Sequence, residues 1–438
     1  MALAERFNGE IINGDAVQMY EGIPIATNKI SVEERRSIPH HLLGWIKLDE
    51  APWTVAKFKD QVIRIVEEIR SRGRLPILVG GTHYYTQAVL FKDSVVEDEN
   101  EEKDNRPTKL REQTWPILGA STEEMLLELQ KVDPFMAKRW HPNDRRKIRR
   151  SLEIWYMTGR RASEIYEQQR KRRSSCQFDY HGNDGALSDE RYNSTLHSTI
   201  SPLRYDSLIL WTHTSTEELK SRLSERVDAM LNDGLLSEVE SMHALLRNLK
   251  SEGRNPDITQ GIWVAIGYKE LVPYIKASQT NCKSIKDLEF LKKEGITQTK
   301  DHTRQYARRQ VRWIRRKLIH ALDCSQLSRT LYFLNGSDLS RWSKDVEGPA
   351  GELVSAFLGG VPLPEPFSLS ETAGEMLQPS EKEDVFARYC KTCAKTLMSE
   401  AEWQRHFKGK GHKRAQRAED KEQRNGRPQP RSWERNAQ

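Results

Sequence analysis

The chain has 438 residues, long enough for two or three domains, with 37% hydrophobic and 30% charged residues and a net charge of +7. No apolar run approaches the ~20 residues that span a bilayer, and Met1–Phe7 is too short and polar for a secretory signal, so neither a membrane-spanning nor an exported protein is expected. Five cysteines in such a length make no disulfide framework. Cys176, Cys282 and Cys324 read as isolated thiols of a reducing compartment: the cytoplasm, with the nucleus or mitochondrion as further destinations.

Charge is segregated. Eleven Lys/Arg face four acids from His141 to Arg173, eight face one from Lys300 to Lys317, and ten face three from Arg405 to Arg431. Each stretch nets +7, which leaves −14 for the rest of the chain. Three basic stretches in an acidic body favour a polyanionic partner, because neutralised phosphates release counterions.

In chain order, residues 1–92 alternate strand and helix in the α/β manner. Ile11-Ile12 reads as a strand. Phe58 to Ser71 is an amphipathic helix with Phe58, Val62, Ile65, Val66 and Ile69 at helical spacing, stopped by Gly73. Leu75 to Val79 is a buried parallel strand that ends in Gly80-Gly81-Thr82. Residues 93–106 form an acidic loop. Helices are expected at Thr122–Lys131, Pro142–Thr158 and Ala162–Arg173, followed by a disordered insertion over 174–201, rich in Ser, Asn, Asp and Gly. Strand character returns from Arg204 to Thr212. Long helices follow at Glu217–Leu231, Leu235–Leu249 and Arg304–Leu322, with a last strand at Thr330–Leu334. The expected domains are an α/β core in two parts (1–110 and 203–345), a helical insertion (111–202), a linker (346–385), a zinc finger (386–416) and a basic disordered tail (417–438).

Two strand-to-loop segments carry ligand-site character: Gly9-Glu-Ile-Ile-Asn-Gly-Asp15-Ala-Val-Gln18-Met-Tyr20, and Leu75 to Tyr85 with its Gly80-Gly81-Thr82. With Ile38-Pro-His-His41 between them and His141-Pro-Asn-Asp144 beyond, the chain resembles the tRNA dimethylallyltransferases, from residue 2 to about 345. The resemblance implies an α/β fold with a parallel sheet like that of P-loop NTPases, carrying an inserted helical lobe. It implies transfer of a dimethylallyl group from dimethylallyl diphosphate to N6 of adenosine 37 in the tRNA anticodon loop, by a monomer, with Mg²⁺ at the diphosphate. Family members open with a strand and a Walker A phosphate loop, whereas Met1–Phe7 resembles the end of the helix after it. No G-x-x-x-x-G-K-[ST] occurs in the sequence. The expectation is that tRNA binding survives in the chain as written and transfer is weak.

By the resemblance, Asp15 is the base that accepts the N6 proton, though an Asp after Asn-Gly equally suits a helix cap. Thr82 belongs to the reaction channel, and Gly80, Gly81 and Thr82 face the diphosphate. Asp15, Ala16, Val17 and Gln18 match the segment around the flipped adenosine, and Gln18 can offer a donor and an acceptor to a base edge. Arg146, Lys147, Ile148, Arg149 and Arg150 match a basic tRNA-contacting motif, on a helix capped by Asn143 or Asp144. In the Arg304–Leu322 helix, Ala307, Val311, Ile314 and Leu318 form a core face beside a stripe that contains Arg304, Arg308 and Arg312. Tyr306, Gln310 and Trp313 share a third face, suited to packing on the sheet or to base stacking. Gly261 to Glu270 matches a family segment without a chemical role.

Cys390-x₂-Cys393-x₁₂-His406-x₅-His412 has the spacing of a closed, structural Zn²⁺ site and resembles the matrin and U1-like fingers of eukaryotic family members. Lys408, Lys410, Lys413 and Arg414 surround its last ligand and suit phosphate contact. Two other classes remain open: an RNA-binding protein without catalysis, and a P-loop nucleotide kinase, against which Asp15 and the basic helical lobe argue.

Overall fold

The computed structural model describes residues 1–92, 114–175, 202–280, 284–378 and 385–425. The expected acidic loop at 93–106 and the insertion at 174–201 lie almost entirely outside them.

Along the chain, α1 (Ala2–Arg6) leads to β1 (Gly9–Asn13), β2 (His40–His41), α2 (Val55–Ser71), β3 (Leu75–Val79) and α3 (His83–Leu90). Next come α4 (Thr122–Val132), α5 (Pro134–Arg139), α6 (Arg145–Thr158) and α7 (Ala162–Ser175). The chain continues through β4 (Ile209–His213), α8 (Thr216–Asn232), α9 (Leu235–Ser251), α10 (Tyr268–Gln279), α11 (Ile285–Trp313) and α12 (Ile319–Cys324). It ends with β5 (Leu331–Asn335), α13 (Gly348–Leu358), α14 (Glu371–Leu377), β6 (Val385–Cys390), β7 (Lys395–Ser399), α15 (Glu400–Lys408) and α16 (Lys410–Asn425).

Two compact units result, Met1–Val95 with Arg173–Ser380, and Val96–Arg172 with Glu381–Gln438. In the first, the described strands pair in parallel: β1 lies between β2 and β3, and β4 pairs with β5 as a separate ribbon. Every residue of β1 is buried, as a central parallel strand requires. Its register with β3, from Gly9 opposite Leu75 to Asn13 opposite Val79, brings Gly14-Asp15 and Gly80-Gly81-Thr82 to the same carboxyl edge. Phe58, Val62 and Ile69 of α2 pack there with Ile12, Leu235, Val239 and Leu271. A second cluster joins Trp211, Ile314, Leu331 and Phe333.

The expected linker is largely helical. α13 buries Leu353 and Val354, and α14 seats Ala373 and Leu377 in the second cluster. Gly and Pro crowd this stretch and read as breakers, yet Pro349 sits in the first turn of α13, where its missing N–H costs nothing.

In the second unit, Leu118, Met125, Leu129, Met136, Ile148 and Leu152 form a fully buried lobe core. Asp144, not Asn143, caps α6 by accepting from the Lys147 N–H. The finger is not an isolated bead. The His141 Nε2 donates to the Thr396 carbonyl at 3.1 Å, and β6 packs on α5. α16 runs to Asn425, so the first part of the expected disordered tail is helix.

Candidate active site and RNA-contacting surfaces

The carboxyl edge of β1 and β3 is tied into one turn-on-turn structure. The Gly14 N–H donates to the Val79 carbonyl at 2.7 Å, the Thr82 N–H to Gly14 at 3.3 Å, and the Ala16 N–H to Thr82 Oγ1 at 3.0 Å. A Cβ on Gly80 would sit 2.2 Å from Gly14 backbone, so glycine is needed there for contact between the two loops.

Asp15 Oδ1 accepts from the Val17 and Gln18 N–H groups at 2.9 and 3.4 Å. This oxygen therefore caps a turn, where the sequence suggested a helix cap. Oδ2 takes no hydrogen bond from a described residue and lies on the Gly81 side, 3.8 Å from where a Cβ there would be. Burial pushes the Asp15 carboxyl above its usual range; the two N–H donors and the positive charge of Arg226 pull it back only in part. Arg226, on α8, was not singled out by the sequence, because nothing local distinguishes it on a helix of alternating charge. It is exposed in area yet crowded by protein, and burial lowers its pKa while Asp15 raises it.

The third helix face found its partner in the sheet edge. Gln310 Nε2 donates to the Gly81 carbonyl at 2.9 Å, and the Tyr306 hydroxyl lies near Thr82 and Gln310. The Trp313 ring stacks on His83 with centroids 5.0 Å apart. Burial, with the Asp15 charge behind it, raises the Tyr306 pKa. Gln18 is less free than expected, since its amide N–H₂ donates to the Thr27 and Asn28 carbonyls and leaves only Oε1 for a base.

Arg308 and Arg312 are exposed on α11, while Arg304 pairs with Asp301 and donates to Ser224. On α6, Arg146 and Lys147 are exposed, and Arg149 and Arg150 both pair with Glu153. Ile148 is fully buried in the lobe core, so it supports this stretch from behind and cannot touch RNA. The Gly261–Glu270 segment has a structural role. Buried Glu270 accepts from the Gly267 N–H and from His302 Nδ1, tying α10 to α11. The Pro-His-His segment is likewise structural, with His41 Nε2 bonded at 2.6 Å to the buried Glu10.

Cys390, Cys393, His406 and His412 bring their ligand atoms within 4.8 Å of one another. The His412 Nδ1 lies 3.6 and 3.4 Å from the two sulfurs, near the edge of about 3.6 Å that Zn–S and Zn–N bonds define in a tetrahedron. The buried Nε2 of His406 has no hydrogen-bond partner, as suits a ligand atom. A six-residue step along one helix would point the histidines apart; the break at Gly409 puts them on α15 and α16 and turns them together. These four residues form a Cys₂His₂ zinc-binding site.

The protein-family profile described as IPP transferase matches residues 18–317, and one described as zinc-finger double-stranded RNA-binding matches residues 388–413. The tRNA dimethylallyltransferase of Schizosaccharomyces pombe is 37% identical over 350 residues, covering 79% of this chain and 72% of its own. The human tRNA dimethylallyltransferase is 30% identical over 419 residues, 94% of this chain and 81% of its own. A solved structure of a eukaryotic dimethylallyltransferase acting on tRNA superposes with a TM-score of 0.71 at 29% identity, covering 97% of this chain and 94% of that one. The chain belongs to the tRNA dimethylallyltransferase family, of the eukaryotic type with a C-terminal C2H2 finger.

Proposed function

We propose that the Asp15–Thr82 centre transfers a dimethylallyl group from dimethylallyl diphosphate to N6 of adenosine 37 in the tRNA anticodon loop. In this reaction an N6–C bond forms, the C–O bond to diphosphate breaks, and the N6 proton leaves. N6 is a weak nucleophile because its lone pair is delocalised into the ring, so a positioned base is needed. The observation that carries the reading is the divided Asp15 carboxylate: Oδ1 is fixed by two backbone N–H groups, and Oδ2 is left for the substrate proton. Its raised pKa makes it a better base than an exposed aspartate.

Thr82 orders the turn beside that base by accepting from the Ala16 N–H. Thr82 and Gly81 stand on the donor side of the centre, and Arg226 supplies a cation there for the departing diphosphate. Mg²⁺ fits this centre only as an ion held mainly by phosphate and water oxygens. Among the described residues, three candidate ligands converge at the zinc site alone, so Asp15 or Thr82 would add at most one or two oxygens. Bound there, Mg²⁺ neutralises charge on the leaving diphosphate.

An adenosine stacked in a loop must be turned out to reach such a site, at a cost of a few kcal/mol that backbone contacts offset. Arg308 and Arg312 on α11, Arg146 and Lys147 on α6, and the basic finger are the groups to hold that RNA. No helix among the described residues is long and apolar enough to cross a membrane. The test is transfer from labelled dimethylallyl diphosphate to an anticodon stem-loop with A36-A37-A38. The expected product is N6-dimethylallyladenosine at position 37, formed ~10²–10⁴-fold more slowly with Asp15→Asn; transfer at the parental rate overturns the assignment.

A further inference from the structure

Three neighbouring side chains of one helix face converge on a single turn of the active centre. Gln310 holds the Gly81 carbonyl, Tyr306 lies near Thr82 and Gln310, and Trp313 stacks on His83. Gly81 is shaped to this contact, since a Cβ there would lie 2.2 Å from Gln310 Nε2. Arg308 and Arg312 are each two residues from Gln310 along the same helix, hence rotated from it by about 200°. The face opposite the latch is therefore exposed and cationic. A helix is stiff over two turns, so an RNA held on one face loads the turn held on the other.

We propose that Gln310 is a positioning residue that couples RNA engagement on the Arg308–Arg312 face to the placement of the Gly81–Thr82 turn beside Asp15. The proposal rests on the function assigned above to Asp15 and Thr82. Gln310 touches neither reacting group in this account; it acts through Gly81. Without it, RNA still binds, but the turn is free to drift, and displacement of a reacting group by about 1 Å can lower a rate by ~10²-fold.

The test uses the full chain with two linked measurements. In steady-state transfer to the A36-A37-A38 stem-loop, Gln310→Ala should lower kcat by ~10- to 100-fold and leave the KM for RNA within about twofold. Gly81→Ala should be worse in the presence of Gln310 than in its absence, so Gly81→Ala/Gln310→Ala should be no slower than Gly81→Ala alone. In amide hydrogen exchange, adding the stem-loop should slow exchange across Gly80–Tyr84 in the unmodified chain and not in Gln310→Ala. An unchanged kcat, an equal loss of RNA affinity, strictly additive effects of the two substitutions, or RNA-induced protection that persists in Gln310→Ala each overturn the proposal. The exchange measurement needs RNA binding but no transfer, so failure of the reaction assignment and failure of the latch give different results.

Discussion

Asp15 fixes one oxygen on two backbone N–H groups, and the proposed role of the other as the base is testable at that residue. Asp15→Asn keeps an oxygen for the Val17 and Gln18 N–H groups and removes the base. It should lower kcat by ~10²–10⁴ with little change in RNA affinity. Because its pKa is raised by burial, the base is protonated, and the rate lost, at a higher pH than for an ordinary aspartate near 3.9. Arg226 opposes that rise. Arg226→Gln should therefore move the acid limb of the kcat/KM profile to higher pH as well as slow the reaction. A limb that stays in place would show that Arg226 does not set the ionisation of Asp15. Asp15 and Thr82 were singled out through the resemblance of their two strand-to-loop segments to the family, since the local pattern alone equally suits a cap and an ordinary turn. Arg226 was not, since its significance comes from the influence of its charge on a residue more than two hundred positions away.

At the scale of elements, legibility followed the packing face. α2 was read nearly to the residue because its buried positions are mostly apolar and periodic, and β3 because it is a short apolar run before Gly80-Gly81, although it is half-buried and Val79 is exposed where a buried strand was expected. α11 was read only from Arg304 onward, though it begins at Ile285. The reason lies in its first half, which packs through Gly295 and Thr299 and so shows no apolar stripe. A Cβ on Gly295 would meet the Glu270 carbonyl oxygen at 2.7 Å, so smallness is what lets α10 and α11 approach. The Glu270 carboxylate, 1% exposed, then bonds the Gly267 N–H and His302 across that contact. Glu270→Ala leaves a buried N–H unpaired and should destabilise the fold by about 1–3 kcal/mol, read as a lower denaturant midpoint. Gly295→Ala should also destabilise, by forcing the helices apart. If both variants unfold at the parental midpoint, the α10–α11 contact is not what anchors the arginine-bearing helix.

On the scale of the whole molecule, the finger is the part whose stability depends on an ion rather than on a core. Its sequence spacing announced the four ligands, but not the His141–Thr396 bond or the packing of β6 on α5, which long-range structure alone supplies. Cys393→Ser should release zinc and unfold the finger, because so small a unit draws its folding free energy from the metal. The rest of the chain should stay folded, since the lobe core of Leu118, Met125, Leu129 and Leu152 is complete without any finger residue. Lys408, Lys410, Lys413 and Arg414 are all exposed beside the ligands and lose their fixed arrangement when the finger unfolds. RNA affinity should then fall, and the slope of log affinity against log salt should flatten by about 0.9 for each duplex phosphate that the finger no longer neutralises. Transfer at saturating RNA should persist, because Asp15, Thr82 and Gln310 belong to the other compact unit. A zinc-free variant that binds RNA normally but has lost kcat would reverse this reading. It would mean that the finger sets the RNA's position during reaction rather than its affinity.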